Sequence, residues 1–289
     1  MALDEMEQFY SVAGIGFSLT ADQGIALPDP HKDLRLFLSD GPVEYNLRVT
    51  LDEFPDVLKR ENLSFQTEHW FFYQFQDRIV AKVPPYGVND SWILIDIYPQ
   101  DRCGIIYMDH PFYSAQQHPL FTPVFEIIFA TLLAKQGGFL AHASGVLCDQ
   151  RAFLFSGRSG TGKTTTARLW ESHASAVVLC DDRVAVRKID GEFWAFGTPW
   201  HGNHQAVSPQ GGRLDKIFFL KHAFENRAER IQASKSSALL YARSFPPLWD
   251  KSGINTWVET SVNLAQQVPC YEFGFLPDAS AVEYVQGLK

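Results

Sequence analysis

The stretch Gly157-Arg158-Ser159-Gly160-Thr161-Gly162-Lys163-Thr164 has the glycine, Gly-Lys and hydroxyl spacing of a phosphate-binding loop. It follows an apolar run, Ala152 to Phe155, and precedes a helix-forming run, Thr165 to Glu171. In that context the glycines let successive backbone N–H groups turn inward onto phosphate oxygens, and the helix that follows adds the partial positive charge of its N-terminus. Gly157, Ser159, Gly160, Thr161, Gly162, Lys163, Thr164 and Thr165 are therefore expected to bind ATP. Lys163 reaches the β- and γ-phosphates, and the Thr164 hydroxyl holds Mg²⁺. The plainer reading, a glycine-rich turn before an ordinary helix, does not explain the lysine and threonine at their fixed places.

Such a loop needs an acid to complete its metal site. The next apolar strand ends in Val177-Val178-Leu179-Cys180-Asp181-Asp182-Arg183, which delivers two carboxylates at a strand terminus. One can hold Mg²⁺, directly or through water, while the other takes a proton from an attacking hydroxyl. Standing alone, the same pair reads equally well as a turn or as an ion pair with Arg183.

The elements that position these residues fall into two halves. Up to about residue 115 the pattern is β-rich: Phe17–Leu19, Val43–Val49 in strict alternation, His69–Phe75, Arg78–Val83, Ser91–Tyr98 and Gly104–Met108, separated by turns rich in Pro, Gly, Asp and Asn. Pro119 to Ala134 has the spacing of a core-facing helix closed by Gly137 and Gly138. Strands are then expected at Phe139–Cys148, Arg151–Ser156, Ala176–Cys180, Leu214–Lys221 and Cys270–Phe275. A hairpin, Val184–Ile189 with Glu192–Phe196, turns on Asp190-Gly191. Helices are expected near Lys235–Phe245, Thr256–Gln266 and Ala279–Gln286. Two-residue turns where a doubly wound sheet has helices make this an α/β protein of α+β character with a mixed sheet. The division expected is a β-rich module over 1–115, a docking surface for acceptor or partner, and a nucleotide domain over 116–289.

Composition removes several classes. The 289 residues are 46% hydrophobic and 14% aromatic, with 25 Lys plus Arg against 33 Asp plus Glu, a net charge of −8. That balance, without a basic tract, argues against nucleic acid and anionic membrane as partners. The cysteines, Cys103, Cys148, Cys180 and Cys270, lie far apart with no C-x-x-C pair, the pattern of buried thiols in a reducing compartment. The acidic N-terminus lacks an apolar core of secretory type, so a cytoplasmic location is expected.

From Gly145 through Arg183, and in the later Phe196-Gly197-Thr198-Pro199-Trp200-His201-Gly202 and Lys216-Ile217-Phe218-Phe219-Leu220, the chain resembles HPr kinase/phosphorylase, specifically an HPr-kinase-related branch found in bacteria. The resemblance covers about residues 137 to 275. It implies the fold shared with ATP-dependent phosphoenolpyruvate carboxykinase, with Lys163 and Thr164 on the ATP phosphates and Mg²⁺. It further implies Asp181 as catalytic base, Asp182 as metal-side carboxylate, and His142, in Ala141-His142-Ala143-Ser144-Gly145, near the transferred phosphate. Without the family, a lone strand histidine is more often a hydrogen-bonded core or edge residue. The chain departs from the family where a metal-binding glutamate is expected: Trp200-His201-Gly202-Asn203-His204 has no acid. His201 is the substitute ligand expected there, although His201 and His204 equally well line a loop. Arg213 is one of many basic residues that can supply charge to the phosphoryl group, with nothing to single it out.

The resulting expectation is an ATP- and Mg²⁺-dependent kinase acting on a serine of a protein or ribosomally made peptide, assembled as a homo-oligomer. A small-molecule phosphotransferase, of free serine or carboxykinase-like, and a non-catalytic ATP-binding scaffold remain open.

Overall fold

The computed structural model describes residues 7–56, 58–85 and 87–288 and divides into two compact units. The first unit runs to Lys135 and takes in Pro247–Ile254. It contains strands β1 (Gln8–Val12), β2 (Ile15–Ala21), β3 (Tyr45–Thr50), β4 (Leu63–Gln66), β5 (Phe71–Gln74), β6 (Ile79–Val83), β7 (Ile93–Tyr98) and β8 (Cys103–Met108), and helices α1 (Lys32–Arg35), α2 (His110–Ser114) and α3 (Val124–Lys135). The strands form one sheet in the order β1-β2-β3-β8-β7-β6-β5-β4. The β2–β3 and β3–β8 pairs are parallel and the other neighbours antiparallel. The alternation of Val43 to Val49 survives as β3, whose Tyr45, Leu47 and Val49 are buried between exposed Asn46 and Arg48.

The unit boundary lies after α3, not at residue 115. The helix belongs with the first sheet because its buried face meets β2: Phe17 packs edge-on to Phe125 at 5.2 Å and against Phe129 at 6.2 Å. The distant segment Pro247–Ile254 joins the same unit for an equally local reason. Trp249 stacks on Phe72 at 4.5 Å and donates its indole N–H to Thr131 Oγ1 at 3.0 Å, while fully buried Asp250 pairs with Lys135 at 2.7 Å.

Beside α3, His118 is buried with its Nδ1 accepting from the Leu120 N–H at 3.1 Å and its Nε2 2.9 Å from Gln8 Oε1. Burial, and then the charge of His31, hold its pKa at about 4, below the ordinary 6.5. The unfolded chain thus takes up a proton that the fold refuses. The stabilisation is fully present above pH 6.5 and is lost on acidification toward pH 4, by about 3 kcal/mol. We expect His118→Gln to flatten the pH dependence of unfolding between pH 6.5 and 4, as followed by urea titration. An unchanged profile would remove His118 as its source.

The second unit comprises Gln136–Pro246 and Asn255–Lys289. Its strands are β9 (Phe139–Cys148), β10 (Arg151–Ser156), β11 (Val177–Cys180), β12 (Arg183–Ile189), β13 (Glu192–Phe196), β14 (Gly211–His222), β15 (Arg227–Arg230), β16 (Ser244–Phe245) and β17 (Cys270–Phe275). Its helices are α4 (Lys163–Ala174), α5 (Ala233–Tyr241), the part of α6 (Lys251–Gln267) from Asn255, and α7 (Ala279–Gln286). The sheet is mixed as expected: β10–β14 and β14–β17 run parallel, the hairpins antiparallel. Pairing also closes on itself, because β10 bonds β9 on one edge and β14 on the other, while β9 leads through β12 and β13 back to β14. One apolar cluster joins the sheet to Leu240 of α5 and to Trp257 and Leu264 of α6. A second joins it to Ala167 and Trp170 of α4 and to Ala281, Val282 and Val285 of α7. Helices thus cover both faces.

The helix expected over Lys235–Phe245 stops at Tyr241. Phe245 precedes Pro246, and a pre-proline residue is driven out of the helical region by its neighbour's ring. Ser244 and Phe245 instead pair with Ala141 and Leu140 of β9.

Candidate active site

The glycine-rich loop with phosphate-binding spacing leaves β10 at Ser156 and enters α4 at Lys163. Gly160 and Gly162 take positive φ, +81° and +102°, where a side chain is strained. Two glycines are fixed by space as well: a Cβ on Gly157 would lie 2.1 Å from Thr161 Oγ1, and one on Gly162 would lie 2.6 Å from Phe275 Cζ. Thr161 caps the turn by donating its hydroxyl to Arg158 O at 2.8 Å. Lys163 folds back to donate to Gly157 O at 3.0 Å. Burial lowers the Lys163 pKa, Arg243 pushes in the same direction, and Asp182 and Asp181 oppose them.

Asp181 and Asp182 follow β11 and face the same cleft. A space of about 380 Å³ is lined by His142, Ser159, Gly160, Gly162, Lys163, Thr164, Thr165, Asp181, Asp182, Gly202 and Asn203. Asp181 is buried. Its Oδ1 accepts the Gly202 N–H and its Oδ2 the His204 N–H, both at 2.7 Å, so the carboxylate clamps the 202–204 loop. Each oxygen keeps a lone pair for another donor. Asp182 lies 3.0 Å from His142 Nδ1 through Oδ1 and pairs with Arg183 through Oδ2. Burial works to raise its pKa, but the His142 hydrogen bond and the charges of Arg183, His142 and Lys163 outweigh it and leave it low.

The loop between β13 and β14 is fastened at several points. Ser208 N donates to Leu179 O at 2.9 Å, Cys180 Sγ to Trp200 O at 3.0 Å, and Thr198 Oγ1 to Arg183 O at 2.5 Å. A Cβ on Gly197 would lie 1.9 Å from Ser208 O, so the chain can only pass there as glycine. His204 reaches α4, with Nε2 3.2 Å from Glu171 Oε2 and Nδ1 accepting from Arg168 Nε at 3.3 Å. His201 does not line the cleft, and its Nδ1 sits 2.7 Å from Gly202 O. Arg213 pairs with Glu192 at 2.8 Å, at the end of β14 that meets the start of β10, away from the loop. Sequence reasoning missed Asn203, and it missed Arg243 and Phe245 because they were assigned to a helix. Phe245 packs edge-on to His142 at 5.7 Å and beneath Arg183 at 4.7 Å.

All four cysteines are unpaired, three of them buried and Cys103 half-buried. Among the described residues no three or more His, Cys, Asp or Glu gather to hold a metal ion. The donors in the cleft, the Thr164 and Thr165 hydroxyls and the Asp181 and Asp182 carboxylates, are hard oxygen ligands of the kind Mg²⁺ takes. Among the described residues no helix is long and apolar enough to cross a membrane.

No family model and no curated protein matches the chain. Among solved structures, the Hpr(Ser) kinase/phosphatase from Coxiella burnetii matches at 12% identity over 51% of this chain and 90% of that one, with a TM-score of 0.30. A likeness of that strength carries no function across.

Proposed function

We propose that this protein is an ATP- and Mg²⁺-dependent phosphotransferase that passes the γ-phosphoryl group to a serine hydroxyl of a protein or ribosomally made peptide. The observation that carries the reading is that Ser159, Gly160, Gly162, Lys163, Thr164 and Thr165 of the glycine-rich loop meet two strand-end carboxylates in one cleft. Loop N–H groups and Lys163 hold the phosphates, and Thr164 and Asp182 are the residues that would hold Mg²⁺. The metal, when bound, offsets charge on the β- and γ-oxygens. Asp181 is the proposed base, oriented by its two backbone donors. The acceptor oxygen bonds to Pγ as the Pγ–O bond to the β-phosphate breaks, ADP leaves, and the hydroxyl proton passes to Asp181. Positioning and charge supply most of the rate in such a reaction. The phosphoenolpyruvate carboxykinase-like fold implied by the sequence resemblance belongs to the same proposal.

The test is mass spectrometry of candidate peptides, of free serine and of oxaloacetate after incubation with the protein, ATP and Mg²⁺. A phosphopeptide is the expected product. Phosphoserine as the free amino acid, or phosphoenolpyruvate, would refute the peptide acceptor, and nucleotide binding with no product would refute catalysis.

A further inference from the structure

Arg243 stands where nothing assigned so far needs a cation. Its backbone is fixed on both sides: the N–H donates to Leu240 O at 3.1 Å, ending α5, and the carbonyl accepts the His142 N–H at 2.9 Å. The next residue of β9, Ala143, donates instead to Asp182 O at 3.1 Å. Alternate amides of a strand point to opposite edges, so Arg243 and the acidic pair flank His142 from the two sides of β9. With strands about 4.8 Å apart, their backbones are separated by roughly 10 Å. That is a span which a small hydroxy acid, or a serine with an acidic neighbour, bridges.

The guanidinium lies over the Phe219 ring at 5.3 Å, and its buried Nη1 has no hydrogen-bond partner among the described residues. Buried polar groups without partners are rare in folded proteins and point to a missing ligand or water. The surroundings are short of negative charge. Burial, followed by repulsion from Arg158 on the phosphate loop, lowers the Arg243 pKa, while Glu272 opposes them. Glu272 is itself paired with Lys235 at 2.7 Å. Asp182, on the far side, is held by Arg183 and His142. Lys163, its pKa also lowered by burial, lines the cleft, where on the proposed function it serves the nucleotide phosphates. A second anion is what the arrangement lacks, and a planar fork stacked on an aromatic ring suits a carboxylate held by two hydrogen bonds.

We propose that Arg243 binds a carboxylate of the phosphoryl acceptor, close to the hydroxyl that is phosphorylated, which makes it a specificity-determining residue. The proposal rests on the phosphotransferase reading. The carboxylate belongs either to a free amino or hydroxy acid or to an acidic residue beside the acceptor serine.

The test uses the full chain saturated with Mg²⁺ and ADP, titrated calorimetrically with product-like probes whose phosphate fills the place of the transferred group. The probes are O-phospho-L-serine, O-phosphoethanolamine, and the blocked dipeptides phosphoserine–glutamate and phosphoserine–alanine. At least one carboxylate-bearing probe should bind about tenfold or more tightly than its partner lacking that group. The amino-acid pair and the dipeptide pair distinguish the two sources. Arg243→Gln should bring the preference to about one while Mg–ADP affinity stays within about twofold, and Arg243→Lys should keep some of it. Equal binding of both members of each pair, absence of probe binding, or a preference that survives Arg243→Gln overturns the proposal. A parallel loss of Mg–ADP affinity in Arg243→Gln also overturns it, by making Arg243 a nucleotide ligand. Failure of the unmodified protein to bind Mg–ADP refutes the phosphotransferase reading instead.

Discussion

Lys163→Ala is expected to abolish the rise in Tm that Mg–ATP confers and to lower phosphoryl transfer by about 10³-fold. The Tm of the free protein should change by no more than about two degrees. The asymmetry follows from the charges around Lys163. The Lys163 pKa is lowered by burial, against the opposing charge of Asp182 and with Arg243 adding to the lowering, so removing the ammonium takes little from the nucleotide-free fold. On the proposed function the phosphates add to the Asp182 and Asp181 charges in offsetting that burial. Thermal shift with and without Mg–ATP, paired with a transfer assay, measures both quantities. Unchanged nucleotide affinity together with undiminished transfer would end the phosphotransferase reading.

The second large effect concerns the acidic pair, whose members have different proposed jobs. Asp181→Asn should lower transfer by roughly 10² to 10⁴, leaving Mg–nucleotide affinity within a few-fold. It should also destabilise the fold by about 1–3 kcal/mol, since the amide offers one acceptor oxygen where two backbone N–H groups need one each. Asp182→Asn should weaken Mg²⁺-dependent nucleotide binding about tenfold along with turnover, because a metal ligand acts in ground and transition states alike. Its stability effect has a definite pH sign. Asp182 titrates below the ordinary carboxylate range in the fold, so its contribution is present above that range and disappears as the pH falls through its lowered value. Calorimetry with an ATP analogue, transfer rates and unfolding curves separate the variants, and matching affinity losses would sink the division of labour.

These expectations depend on residues that differ greatly in how visible they are in the sequence. The proposed phosphate loop is local: its glycines, lysine and threonine lie on one turn, so their spacing is legible in the sequence alone. Asp181 and Asp182 are nearly as visible, because strand ends are marked by an apolar run. The partners of Asp181 are not, since they are backbone amides of residues 202 and 204, and an N–H carries no mark of residue type. Arg243 and Phe245 were hidden by helical periodicity that continues past Tyr241, although Pro246 was the available sign that the helix stops short. The unit boundary was illegible for another reason. Trp249 and Asp250 pack on Phe72 and Lys135 across long stretches of chain, and apolar periodicity says which face is buried without saying against what. His201 shows the reverse error, a residue whose type suits a ligand and whose position is off the cleft.

The closed circuit of pairing in the second unit bears on which segments of the site can breathe. Every residue of β10 is paired with β9 on one edge, and the strand is paired with β14 on the other, with one irregularity at Ala152/Phe153, so its amide hydrogens are expected to exchange with deuterium chiefly when the unit opens as a whole. The loop carrying Gly202 and His204 has no such enclosure; side-chain clasps and single backbone bonds hold it, and these can break singly. The proposed phosphate loop thus rises from a strand expected to exchange slowly, while the wall facing it belongs to a segment held by contacts that can break singly. On the proposed function, nucleotide entry and product exit need no loosening of the strand on which that loop stands.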